Sequence, residues 1–163
     1  INMNKSYRNT MEIASYANSI SDVSDMELFE RHGKPVEEQT FSDRKAAMEA
    51  VLEKLRLEEF ETAAVIEMTQ ERAKKSAAYL KERMEELGMD TENRFSVVDR
   101  DSTHFKKGLT VTTFYLAKGL EFDQVFAIYT TQDNTPLHQQ ARYICATRAL
   151  HELYMYEVKA SQD

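Results

Sequence analysis

The sequence is poor in the residues that build the simplest reactive sites. One cysteine, Cys145, stands among 163 residues. That excludes an intramolecular disulfide and a cysteine-based zinc centre, and it fits a reducing, cytoplasmic setting. The four histidines (His32, His104, His138 and His151) lie at no metal-ligand spacing, so no metal site is expected on this chain. Tryptophan is absent, and the four glycines, Gly33, Gly88, Gly108 and Gly119, are scattered. They make neither a G-x-G-x-x-G nor a G-x-x-x-x-G-K-[ST] phosphate loop. No apolar run approaches the roughly 20 residues of a membrane helix. Ile1 to Lys5 leads directly into polar sequence, with no pattern of a secretory signal. Positive charge is also in short supply: 21 basic against 28 acidic residues, a net charge of −7. Nonspecific binding to nucleic acid through bulk charge is therefore not expected. The deficit is uneven. Residues 1–98 carry 14 basic and 20 acidic residues, residues 99–163 carry 7 and 8, so any phosphate contact should be local and in the second part.

What is present describes a single globular domain: 42% hydrophobic and 30% charged residues over a length that buries a real core. Asn9 and Glu12 resemble a capping box before a helix over 10–20, with Ile13, Ala17 and Ile20 at helical spacing. Ser42 is placed to cap a second helix carrying the stripe Ala47, Met48, Val51, Leu52 and Leu55. Residues 62–68 have the length and composition of a strand. Ala73, Ala77, Leu80, Met84 and Leu87 mark a third helix, stopped by Gly88. Strands are expected at 95–98, 109–114, 124–130 and 153–158. Thr135-Pro136 opens a helix that runs to about Ala149. Apolar strands with interposed helices predict an α/β fold with a mostly parallel sheet. The long acidic helix faces read as solvated surface.

Three segments place polar residues at element ends, where sites of α/β folds lie. In Lys5-Ser6-Tyr7-Arg8-Asn9-Thr10, an aromatic beside an arginine suits stacking on a base and gripping a phosphate, or simple packing at a domain edge. In Val111 to Asp123, a strand runs into a turn holding Lys118 and Gly119, and Glu121 sits between two large apolar residues. Gly119 permits positive φ or close approach of a ligand. Glu121 is either a surface residue of the turn or a carboxylate able to accept hydrogen bonds from ribose hydroxyls. In Arg142 to Leu150, an otherwise small and apolar helix carries Arg148 in its last turn. That arginine either answers the helix dipole or touches a transferring phosphoryl group.

In this order, the three segments resemble motifs IV, V and VI of the C-terminal RecA-like motor domain (subdomain 2A) of UvrD/Rep/PcrA-type superfamily 1 helicases. Thr62 to Gln70 is similar to motif IVa. The resemblance extends over nearly the whole chain, and the Ser-Tyr-Arg opening and Tyr115 are closest to HelD-like and helicase IV-like members. It implies a RecA-like, P-loop NTPase-like sheet without its own P-loop, one domain spanning 1–163, and a fragment of a longer chain. It implies that Tyr7 stacks on adenine, Arg8 reaches the γ-phosphate, Glu121 contacts the nucleotide sugar beside Gly119, and Arg148 is the arginine finger. Thr113 and Tyr115 would contact single-stranded DNA, with Thr69 as a further contact.

The implied activity is ATP-dependent DNA helicase action in the full-length protein. The isolated fragment would be inactive, because the phosphate loop and the Mg²⁺ ligands of such an enzyme lie on an N-terminal RecA-like partner domain. An alternative implied by the HelD-like flavour is an ATPase module of an RNA polymerase recycling factor. Three features depart from the pattern. Tyr115 stands where histidine is usual, which turns the contact toward stacking. Only residues 70–112 separate Thr69 from Thr113, so the 2B insertion is absent or very short. Leu137-His138-Gln139-Gln140 replaces the charged run before motif VI.

Overall fold

The computed structural model describes residues 5–6, 10–21, 27–28, 35–58, 60–99 and 107–160. Lys5–Ser6 (β1) pairs in parallel with Glu27–Leu28 (β2), and helix α1 spans Met11–Ser21. Then follow β3 (Glu37–Phe41), α2 (Arg44–Leu57), β4 (Thr62–Glu67), α3 (Gln70–Glu86), α4 (Thr91–Arg94) and β5 (Phe95–Val97). The chain closes with β6 (Gly108–Thr113), β7 (Phe122–Thr130), α5 (Pro136–Thr147) and β8 (Ala149–Val158). Six strands form one sheet in the order β3-β8-β7-β4-β6-β5, and every pair in it is parallel. The α/β expectation with helices flanking a parallel sheet is met.

The period-2 alternation of β4 explains the layering. Ala63 and Val65 face a core closed by α2 and α3, where Met48, Val51, Leu52, Leu80 and Met84 are buried. Ala64 and Ile66 face the opposite core, closed by Ile13 and Ala17 of α1 and by Ala141, Cys145 and Ala146 of α5. A central strand buried on both faces reads as a continuous apolar run, as Ala63 to Ile66 does.

Local chemistry sets the element ends. The Gly88 stop is a Schellman motif: Gly88 has φ +76°, Met89 N donates to Met84 O at 2.8 Å, and Gly88 N donates to Glu85 O at 3.1 Å. Thr135 caps α5 with Pro136 at its first turn, as expected. Two caps shift by one residue. Asp43, not Ser42, caps α2, its Oδ1 accepting from Ala46 N at 2.8 Å. At α1, Thr10 Oγ1 accepts from Ile13 N at 3.3 Å, and Asn9, the cap expected from the sequence, lies outside the described residues. In both cases neighbouring residues are competent caps, and the one whose oxygen meets the third helical N–H prevails.

Topology defines two poles. From β4 the chain crosses through α3 toward β5, and from β7 it crosses through α5 in the other direction to β8. The carboxyl ends of β4 and β7 therefore flank the point where connections diverge, the usual crevice for ligands. Because β6 and β7 are parallel, residues 114–121 must return along the sheet from the carboxyl end to the amino end. They do so over the α1–α5 face, anchored by buried Ala117 and partly buried Phe114 and Leu120.

Candidate nucleotide and nucleic-acid sites

The amino pole collects Gly119, Glu121 and Arg148. Gly119 has φ +84°, with open space where a Cβ would project, so it is the backbone conformation that selects glycine. Arg148 caps the end of α5 instead of lying within its last turn. Its Nη1 donates to Leu120 O at 3.2 Å, and its own carbonyl accepts from Phe122 N at 2.9 Å. These two bonds fasten the arginine to the turn that carries Glu121. Arg148 Nε is buried and has no hydrogen-bond partner among the described residues. An unpaired buried guanidinium donor is costly, which makes it a natural target for an incoming oxyanion. Asp123 locks the same edge: its Oδ2 accepts from Thr62 N at 3.1 Å and from Thr62 Oγ1 at 3.2 Å, and Asp123 N donates to Thr62 Oγ1 at 3.0 Å. Tyr7 and Arg8 lie outside the described residues.

The carboxyl pole collects Thr69, Thr113 and Tyr115. Glu67 and Thr113 are register partners, and Phe114 N donates to Glu67 O at 3.1 Å, so the two outgoing turns run side by side. Tyr115 is 40% exposed and its ring meets Phe114 edge-on, with centroids 5.3 Å apart. Thr69 is exposed and caps α3 through Arg72 N at 3.1 Å. Thr113 differs from both. Its side chain is fully buried, and its carbonyl accepts from Leu116 N and Ala117 N, which fixes the turn beneath Tyr115.

Two polar clusters at this pole were not singled out from the sequence. The first bridges the divergence point. Asp133 Oδ2 accepts from Arg72 Nη1 at 2.7 Å and from Thr130 N at 2.7 Å, and Arg142 Nη1 donates to Asp133 O at 2.8 Å. Burial pushes the Asp133 carboxyl up, but the Thr130 N–H and the Arg72 guanidinium outweigh it and hold the group below its ordinary value. The second is Glu67, fully buried at the end of β4. Arg44 Nη1 donates to its Oε2 at 2.6 Å, and Ser76 Oγ donates to the same oxygen. Burial pushes Glu67 up to about 7 against the opposing pull of Arg44 and Ser76. The sequence signal for Glu67 was available, an acid ending an apolar strand. Asp133 sits in a polar loop and carried none.

Residues 108–156, from β6 through most of β8, match the family of the UvrD-like helicase C-terminal domain. No curated protein matches the chain. Among solved structures, the chain is similar to the C-terminal domain of a possible DNA helicase from Lactobacillus plantarum WCFS1, with a TM-score of 0.71 and 24% identity. That similarity covers 94% of this chain and 88% of the other. It establishes a shared fold. The matched family segment contains Thr113, Tyr115, Gly119, Glu121 and Arg148. Among the described residues no helix is long and apolar enough to cross a membrane, and no group of three or more acidic, histidine or cysteine side chains is placed to hold a metal ion.

Proposed function

We propose that this chain is the C-terminal RecA-like motor domain of a UvrD-like, ATP-dependent DNA helicase or translocase, with residues 1–163 forming one domain. In this reading Arg148 stabilises the charge that develops on the transferring phosphoryl group. Glu121 binds the nucleotide sugar beside Gly119, and Tyr7 and Arg8 complete the adenine and γ-phosphate contacts. An N-terminal RecA-like domain supplies the phosphate loop and the Mg²⁺ ligands. Tyr115 and Thr69 receive single-stranded DNA at the opposite pole, and Thr113 braces the turn that presents Tyr115. The observation that carries the reading is Arg148: it is fastened to the Glu121 turn through Leu120 O while its Nε has no partner among the described residues.

The test is Arg148→Ala in the full-length protein. Removing an arginine finger costs about 10³–10⁵ in rate, so ATP turnover should fall to near background while circular dichroism of the variant stays native. Near-wild-type turnover overturns the assignment. The present chain alone should not hydrolyse ATP, because charge stabilisation without a phosphate cradle or Mg²⁺ leaves the reaction without positioning.

A further inference from the structure

The facing halves of α2 and α3 leave a groove lined by Asp43, Arg44, Lys45, Met48, Lys75 and Tyr79. Three cations from two helices share this one crevice in a chain whose net charge is −7. Two of them, Arg44 and Lys45, stand at a helix N-terminus, where cations work against the dipole. They follow directly on the capping carboxylate of Asp43, and Lys75 lies further along α3, which opens with Glu71. Arg44 is turned inward onto Glu67 and Ser76. Lys45 is exposed, and Lys75 is 59% exposed with, among the described residues, a loose 3.7 Å pairing to exposed Glu71, which an incoming anion displaces at little cost. The Tyr79 ring forms a fixed wall, since its hydroxyl donates to Glu49 Oε2 at 2.6 Å.

We infer that this groove binds the phosphodiester backbone of the single-stranded nucleic acid that the carboxyl pole receives, with Lys45 and Lys75 on the phosphates and Arg44 holding the wall. The inference rests on the nucleic-acid reading of Tyr115 and Thr69 and adds to it a path for the strand. Thr69 caps α3, and Lys75 lies six residues along the same helix, about 9 Å at 1.5 Å per residue. A strand leaving Thr69 therefore reaches Lys75 without crossing another element. Compact ammonium groups suit phosphate oxygens, and a lining with only Met48 and Tyr79 to offer a base suits the backbone better than the bases.

The experiment is fluorescence anisotropy of a labelled oligodeoxythymidine with this chain across a series of NaCl concentrations. Each phosphate neutralised on a single strand contributes a slope of about −0.7 in log K against log salt. Lys45→Ala/Lys75→Ala should make the slope shallower by about 1.4, and Lys45→Arg/Lys75→Arg should restore it. Tyr115→Ala should weaken binding at every salt concentration with the slope unchanged. An unchanged slope in the double alanine variant, with weakened binding in Tyr115→Ala, overturns the groove and leaves the Tyr115 edge standing. Absence of oligonucleotide binding by the unsubstituted chain, or wild-type curves for all variants, overturns both. Loss of poly-glutamate binding with intact oligonucleotide binding in the double alanine variant also overturns the groove, in favour of an acidic polypeptide.

Discussion

At the amino end of the sheet the key side chain is held by backbone. Among the described residues Arg148 leans on one carbonyl, and its Nε is left over. At the carboxyl end the polar side chains are largely consumed by one another: Glu67 by Arg44 and Ser76, Asp133 by Arg72 and Thr130, Thr69 by the first turn of α3. What remains presented there is an aromatic ring and the lysines beyond it. The contrast teaches what each end can exchange. An arginine resting, among the described residues, on a single carbonyl can be transferred to an incoming phosphate, because the charge-assisted bond it gives up contributes only about 1.5–3 kcal/mol net and the phosphate replaces it. A buried ion pair cannot be redirected in that way, since removing one partner strands a charge at a cost of about 3–5 kcal/mol. The amino pole is thus built for a contact that forms and breaks. The carboxyl pole is a rigid frame that leaves the Tyr115 ring presented.

The strongest way to break this contrast is to ask whether the two poles fail independently. In the full-length protein, Arg148→Ala should lose at least about 10³ in ATP turnover and keep its affinity for single-stranded DNA without nucleotide. Tyr115→Ala should do the reverse, weakening the DNA by about 1–3 kcal/mol, the usual worth of one stacked base, with DNA-independent turnover retained. If Arg148→Ala weakened DNA binding as much as Tyr115→Ala does, the poles would not be separate sites.

The next effect concerns the frame. Gly108 opens β6 with φ +98°, and a Cβ there would lie 2.3 Å from Arg94 O. Gly108→Ala meets backbone on a position that already disfavours L side chains, so it should destabilise the chain by about 2–4 kcal/mol. At this size that is a fall in Tm on the order of 10 °C. A Tm within 2 °C of wild type would show that the β5–β6 edge yields.

Much of this frame was legible in the sequence because it follows from period. The stripe from Ala47 to Leu55, the 4-3-4-3 spacing from Ala73 to Leu87 and the run from Thr62 to Met68 each name an element and its buried face. The Thr135-Pro136 start and the Gly88 stop fixed two ends through backbone chemistry that no neighbour could supply. Caps at Thr10 and Asp43 shifted by a residue because adjacent side chains compete for the same N–H. Short α4 has too few residues to show a period, and β3 is polar up to its last residue, Phe41, so it shows no apolar alternation. At the site, Arg148, Gly119 and Glu121 were legible as motif residues, but the bond from Arg148 to Leu120 depends on how a returning loop meets a helix end. Thr113 was read as a contact and is enclosed, because alternation along β6 places it on the α3 side. The Arg72–Asp133 bridge joins residues brought together only by strand order.

Glu67 sharpens the view of the carboxyl pole as a frame. Its ordinary value of 4.5 is raised by burial to about 7, so the folded chain holds a proton that the unfolded chain has released. Its contribution is therefore most favourable at low pH, diminishes as pH rises from 4.5 to 7, and is constant above. The total change is on the order of 3 kcal/mol. Glu67→Gln does not titrate. The Tm of wild type relative to this variant should decline across that window in thermal melts taken every half pH unit. A difference independent of pH would mean that Arg44 keeps the carboxylate ionised throughout.

The smallest expected effect returns to the amino pole and separates conformation from contact. Gly119 differs from Gly108 in that nothing lies within 4 Å of a Cβ built on it. Among the described residues its φ of +84° is the structural reason for glycine. Gly119→Ala should then cost about 1–2 kcal/mol, the ordinary penalty for an L residue in the left-handed region, and Gly119→Asn less, because asparagine tolerates that region. If a nucleotide approaches the backbone here, the added side chain meets the ligand in both variants, and asparagine, the larger, meets it sooner. The expected pattern in the full-length protein is a KM for ATP raised more by asparagine than by alanine, opposite to the order of their stabilities. If KM follows stability instead, Gly119 serves the turn alone, and nucleotide contact at this pole reduces to Glu121 and Arg148.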